Sequence, residues 1–178
     1  MSLTMRNDKL IKRRFDTLKS EAYKKFANDP EMAKYVAGTL STTALVLSGI
    51  WAEFHEAFKY DSTWIMTTMG NVSPFIKTFS NRRLKNVVLE DLPNDVVTLF
   101  VIPENNRIEI IIGITSIAVI KVDDTNIHAS FTKGKKFELY DFVKEHVESA
   151  LVKIDQLTRL SGDVFNKPNN EEGETDDE

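Results

Sequence analysis

The sequence predicts an α+β fold: an antiparallel three- or four-stranded meander covered by an N-terminal helical region and a long C-terminal helix. Three observations predict it. Residues 96–131 read VVTLFVIPENNRIEIIIGITSIAVIKVDDTNIHASF, dominated by Val, Ile, Leu, Phe and Thr, which favour a pleated, half-buried surface. PENN and DDTN interrupt that stretch with turn-forming residues. The segments on either side of it carry apolar residues at helical spacing.

Taken in order, Asn7–Asn28 reads as a first helix, because Ile11, Phe15, Leu18, Ala22 and Phe26 form one stripe. Asp29-Pro30-Glu31 restarts the chain as cap, first helical position and dipole partner. A short helix to about Ala37 is expected, then a break at Gly38. A second helix follows, from Ser41 or Thr42 to about Lys59, with Leu47, Trp51, Phe54 and Phe58 inward. Tyr60–Asn71 fits either a short helix or a loop. Ser73-Pro74 reads as the start of another helix, with Phe75, Ile76, Phe79 and Leu84 on its apolar side. Val87–Leu89 reads as a short edge strand.

The expected strands of the meander are Val96–Ile102, Arg107–Ile112, Ser116–Val122 and Ile127–Phe131. Ile108, Ile110 and Ile112 should share the inner face, opposite Arg107, Glu109 and Ile111. Ala118, Ile120 and Val122 should also point inward, with Lys121 outward. Gly113 marks a turn or a bulge. The last helix, Lys136–Leu160, carries Tyr140, Val143, Val147, Leu151, Ile154 and Leu157 as its stripe. The expected organisation is therefore residues 1–28 as an arm or first helix, residues 29–165 as one domain, and residues 166–178 as a disordered acidic tail.

Bulk properties narrow the functional classes. The chain has 178 residues and is 42% hydrophobic, enough for one real core. It has no cysteine, which removes disulfides and thiolate chemistry. The charged N-terminus does not read as a signal peptide, and no run reaches the roughly 18–20 apolar residues of a membrane span. A soluble, cytoplasmic protein without membrane contact is the expectation. Net charge is −4 but unevenly placed. Residues 1–90 hold 14 Lys+Arg and 9 Asp+Glu, whereas residues 91–178 hold 9 and 18, with six of the acids in Asn166–Glu178.

No motif specifies a chemistry. The three histidines, His55, His128 and His146, lack metal-motif spacing. Asp141, Glu145 and Glu148 share one side of the last helix, which a solvated face explains. Neither a catalytic residue, a metal site nor a cofactor is assigned. The candidate contacts for a phosphate or an acidic partner are Lys12, Arg13, Arg82, Arg83, Lys85, Lys133, Lys135 and Lys136. Three of these lysines meet the expected start of the last helix in Thr132-Lys133-Gly134-Lys135-Lys136, where cations oppose the dipole. The plainer account of them is an exposed loop. Phe15, Leu18, Trp64, Met66 and Met69 are the candidate residues for packing against a partner, with core filling as their plainer role.

The leading expectation is a non-enzymatic interaction or assembly protein, acting in a homo- or hetero-oligomer through apolar helix stripes and charged edges. A nucleic-acid-binding accessory protein, with affinity tuned by the acidic tail, is the alternative. An enzyme comes third, and would need a polar cavity joining a histidine to ordered acids. The partner is expected to be another protein or a second copy of this chain.

Overall fold

The computed structural model describes residues 3–66, 75–86, 88–132 and 137–166. Two helices come first, α1 (Leu3–Lys25) and α2 (Pro30–Ala57). Six strands follow: β1 (Asp61–Met66), β2 (Phe75–Ser80), β3 (Val97–Ile102), β4 (Arg107–Ile112), β5 (Thr115–Asp123) and β6 (Asn126–Phe131). The last element is α3 (Tyr140–Asn166). All strands lie in one sheet in the order β1-β2-β3-β4-β5-β6, each antiparallel to its neighbour. The α+β class and the meander stand, but the sheet has six strands, not three or four.

The two extra strands correct two expectations. Phe75–Ser80, expected as a helix after Ser73-Pro74, is β2, and Asp61–Met66 is its neighbour β1. Phe75, Ile76 and Phe79 satisfy a helical spacing, but Phe75 and Phe79 also fit the two-residue period of a strand. Phe75, Lys77 and Phe79 face the helices, and Ile76, Thr78 and Ser80 face the other way. All six residues are buried, because β2 is flanked by β1 and β3 and covered on both faces. Val88 lies in no strand, and a 3₁₀ turn at Leu89–Asp91 takes the place of the expected edge strand. Val87 and Ser73-Pro74 lie outside the described residues.

α2 is one helix where two were expected. It runs through Gly38, and its threonines spend their hydroxyls on the preceding turn. Thr39 donates to Tyr35 O (2.9 Å), Thr42 to Gly38 O (3.0 Å) and Thr43 to Thr39 O (2.8 Å). Fusion of the two segments makes α2 long and apolar enough to cross a membrane by length and composition, contrary to the expectation. Here Ala33, Leu40, Val46, Leu47, Ile50 and Phe54 are buried against neighbouring elements. Its start follows the sequence: Asp29 Oδ1 accepts the Met32 N–H at 3.2 Å, with Pro30 at the first position. Asp29→Ala should cost about 1 kcal/mol in a denaturant melt. An unchanged midpoint would mean that Pro30 alone sets the start.

α2 packs between α1 and α3, and the three helices cover one face of the sheet. Val97, Leu99, Val101, Ile108, Ile110, Ile112 and Ile120 meet Leu47, Ile50, Phe54, Val143, Val147 and Ile154 in one core. The expected faces of β4 and β5 hold: Ile108, Ile110 and Ile112 are fully buried, as are Ala118 and Ile120 or nearly so, and Lys121 is exposed. The register shifts between Ile110 and Ile111, which pair with Ala118 and Ser116, so Ile117 is an extra residue in β5. Gly113 serves the adjoining two-residue turn at a φ of 61°. Of the expected α3 stripe, Tyr140, Val143, Val147 and Ile154 are buried and Leu157 is exposed. Ala150 takes up the inner position beyond Val147.

Candidate interaction site

The site begins with the last strand. β6 pairs with β5 on one side, and among the described residues no strand lies on its other side. Thr132 N–H donates to Ile117 O at 2.9 Å. That bond sets the phase of the ladder, because antiparallel residue pairs alternate between bonded and non-bonded. Ser130–Val119, His128–Lys121 and Asn126–Asp123 are therefore the bonded pairs. Ile127, Ala129 and Phe131 turn their N–H and C=O groups away from β5, toward the free edge.

The same three residues are paired with Val122, Ile120 and Ala118, so their side chains lie on the helix-covered face. They are only half-buried, whereas Asn126, His128 and Ser130 are exposed on the other face. Lys144 stands 5.4 Å from the Phe131 ring centroid. An unpaired strand usually carries a proline, a lysine or a bulge that blocks further pairing. β6 carries none of these: its sequence is NIHASF and its register with β5 is unbroken. The turn before it is anchored, since Tyr35 donates its hydroxyl to Asp123 and the Asp124 N–H donates to Thr39 Oγ1 at 2.9 Å.

The basic candidates fall in separate places. Lys12 pairs with Asp16 on α1 and lines the groove between α1 and α2. Arg13 is exposed on the same helix. Arg82 lies just beyond β2, and its guanidinium clasps Asp95 at 2.8 and 3.0 Å. That clasp holds the Asp95 carboxyl below the usual carboxylate range. Arg83 is exposed, and Lys85 lines a recess of about 210 Å³ with Arg82 and Asp91. Lys133, Lys135 and Lys136 lie outside the described residues, as do Met69 and the acidic tail.

Of the candidate packing residues, Phe15 and Trp64 belong to the core and offer no partner surface. Phe15 lies on the inward stripe of α1, and Trp64 lies under the helices on the inner face of β1. Leu18 is half-buried against that core, and Met66 is 52% exposed.

Lys77 was missed by sequence reasoning. It is 4% exposed on the helix-facing side of β2, with its ammonium 4.7 Å from the Trp64 ring centroid, 5.3 Å from Trp51 and 5.4 Å from Phe79. Burial lowers its pKa, while the charge of Asp8 on α1 partly opposes that shift. Asp8 is itself pushed up by burial, with Lys77 pulling the other way, and its Oδ1 has no hydrogen-bond partner among the described residues. The signal was the alternation Phe75-Lys77-Phe79, legible once the segment is taken as a strand.

His146 stands beside an acid, as the enzyme expectation required in part. Its Nδ1 is 3.4 Å from Glu53 Oε1 in a groove of about 820 Å³ between α2 and α3. Lys153 also donates to Glu53, and that bond, with His146 adding to it, holds the carboxyl below its usual range. Much of the remaining lining is apolar: Leu45, Ala52, Ala57, Ala150, Ile154 and Leu157. Among the described residues no hydroxyl or second carboxylate hydrogen-bonds the ring, and the pair joins α2 to α3. His55 and His128 are exposed elsewhere. The face of the sheet away from the helices holds a further apolar cavity of about 530 Å³, lined by Leu89 and Leu92 with Ile76, Thr98, Phe100 and Ile111. No protein-family model, curated protein or solved structure matches the chain.

Proposed function

We propose that this chain is a non-enzymatic interaction and assembly protein, whose partner adds to the sheet at β6. The observation that carries this reading is the unblocked edge, where backbone donors and acceptors of Ile127, Ala129 and Phe131 face outward above half-buried side chains. Strand addition satisfies those groups and completes the cover over an apolar margin. Mutual pairing of the charged groups also supports it. Arg82 is taken by Asp95, Arg14 by Glu104, and Glu53 by Lys153 and His146. Each of these pairs joins two segments of the chain itself.

The test is sedimentation of the tagged chain in an extract of cells producing it, with and without nuclease. The expected result is a species heavier than the monomer that survives nuclease. Collapse to monomer on nuclease treatment would support the nucleic-acid alternative, whose candidate phosphate contacts are Lys12, Arg13, Arg82, Arg83, Lys85, Lys133, Lys135 and Lys136. A free monomer under both conditions overturns the assembly reading.

A further inference from the structure

We infer that the partner at β6 is a second copy of this chain, paired antiparallel about a two-fold axis beside Ala129. The inference rests on the assembly reading above and names its partner. In this register Ala129 faces Ala129 of the second copy, and Ile127 faces Phe131 of the second copy. All three residues have outward backbone groups, by the phase that Thr132 and Ile117 set, so each of these pairs can exchange two N–H···O=C bonds.

The side chains match as well. Antiparallel partners opposite one another lie on the same face of the sheet. The helix-covered face then juxtaposes a β-branched and an aromatic side chain on each side of the axis, a favourable cross-strand pair. The smallest residue of the strand lies at the axis. The exposed face sets His128 opposite Ser130 of the second copy, polar against polar. The helix layers of both copies fall on one side of a continuous sheet, as closed two-fold symmetry about an axis perpendicular to the sheet requires.

Charge favours the antiparallel orientation. β6 is preceded in sequence by Asp123-Asp124 and followed by Lys133, Lys135 and Lys136. Two antiparallel copies bring the acidic end of each strand to the basic end of the other. A parallel pair would set like charges together.

Sedimentation equilibrium of the purified full chain, from micromolar to millimolar concentration, tests the pairing. The wild type should show a monomer–dimer equilibrium. His128→Glu with Ser130→Glu opposes like charges at both exposed pairs and should raise the dissociation constant about tenfold or more. His128→Lys with Ser130→Glu opposes unlike charges and should restore wild-type affinity or better. Both positions are exposed, so thermal melts should show an intact fold in each variant. A wild type that stays monomeric at every concentration overturns this inference, while the extract experiment still judges the assembly reading. A dimer indifferent to the Glu pair, in variants that melt normally, places the contact elsewhere and also overturns it.

Discussion

Replacing Gly113 with valine should cost about 3–4 kcal/mol of folding stability, the sum of a strained backbone and an overpacked contact. Gly113 opens the two-residue turn between Ile112 and Thr115 at a φ of 61°, a region that β-branched residues essentially do not enter. Its N–H donates to Val96 O at 2.9 Å, so the turn cannot easily relax to another conformation. A β-carbon there would overlap Asn94 Oδ1 and stand 3.3 Å from Leu92 O. The Leu92 oxygen is backbone, in the segment that lies against the face of the sheet away from the helices, and cannot swing away as a side-chain end could. For a chain of this length the loss corresponds to a fall of roughly 10 °C in melting temperature. Gly113→Ala should show a smaller part of it. A valine variant that melts like the wild type would show that neither the turn nor the Leu92 contact constrains this position.

Replacing Lys77 with methionine should raise stability by about 1–2 kcal/mol near neutral pH. The ammonium is desolvated among Trp51, Trp64 and Phe79, and its ring contacts return only part of that cost. Methionine has a similar length, carries no charge and packs well against aromatic rings. The pH dependence follows from the lowered pKa. Between the depressed native value and the ordinary 10.5, the unfolded chain binds more protons than the folded one. Wild-type stability should therefore rise with pH through that window, and the Lys77→Met variant should lose this rise. Asp8 has the opposite linkage: its raised pKa means that stability falls as pH rises from 3.8 through its native value. Adding Asp8→Asn should remove that fall. A Lys77→Met variant that is less stable at neutral pH, with the alkaline rise intact, would show that the lysine is a net anchor for α1.

The strand edge and the buried lysine differ in how far the sequence foretold them. β4 was legible because Arg107-Ile108-Glu109-Ile110 alternates charge and hydrocarbon, a pattern that only a strand with one wet face explains. β6 was legible as a strand, but not as the last one in the sheet, since its alternation is the same whether or not a neighbour lies beyond it. β2 reads as a helix because Phe75 and Phe79 satisfy both periods at once. Lys77 went unremarked with it, since a lysine expected on a solvated helix surface calls for no explanation. Gly38 suggested a break by its propensity, yet α2 continues through it, because the helix end nearby is held by Tyr35 and Thr39 on the β5–β6 turn.

Residue pattern by itself determined the α+β class, the inward faces of β4 and β5, the cap at Asp29 and most of the inner stripe of α3. These are local matters: periodicity states which side chains share a face, and a cap needs only its own first turn. Tertiary structure alone decided that α2 is one helix, that β1 and β2 join the sheet, that Lys77 is enclosed by three rings, and that β6 is the last strand of the sheet among the described residues. Each of these depends on which distant segments meet. That choice minimises exposed hydrocarbon and unpaired backbone over the whole chain, and no short window of sequence contains it.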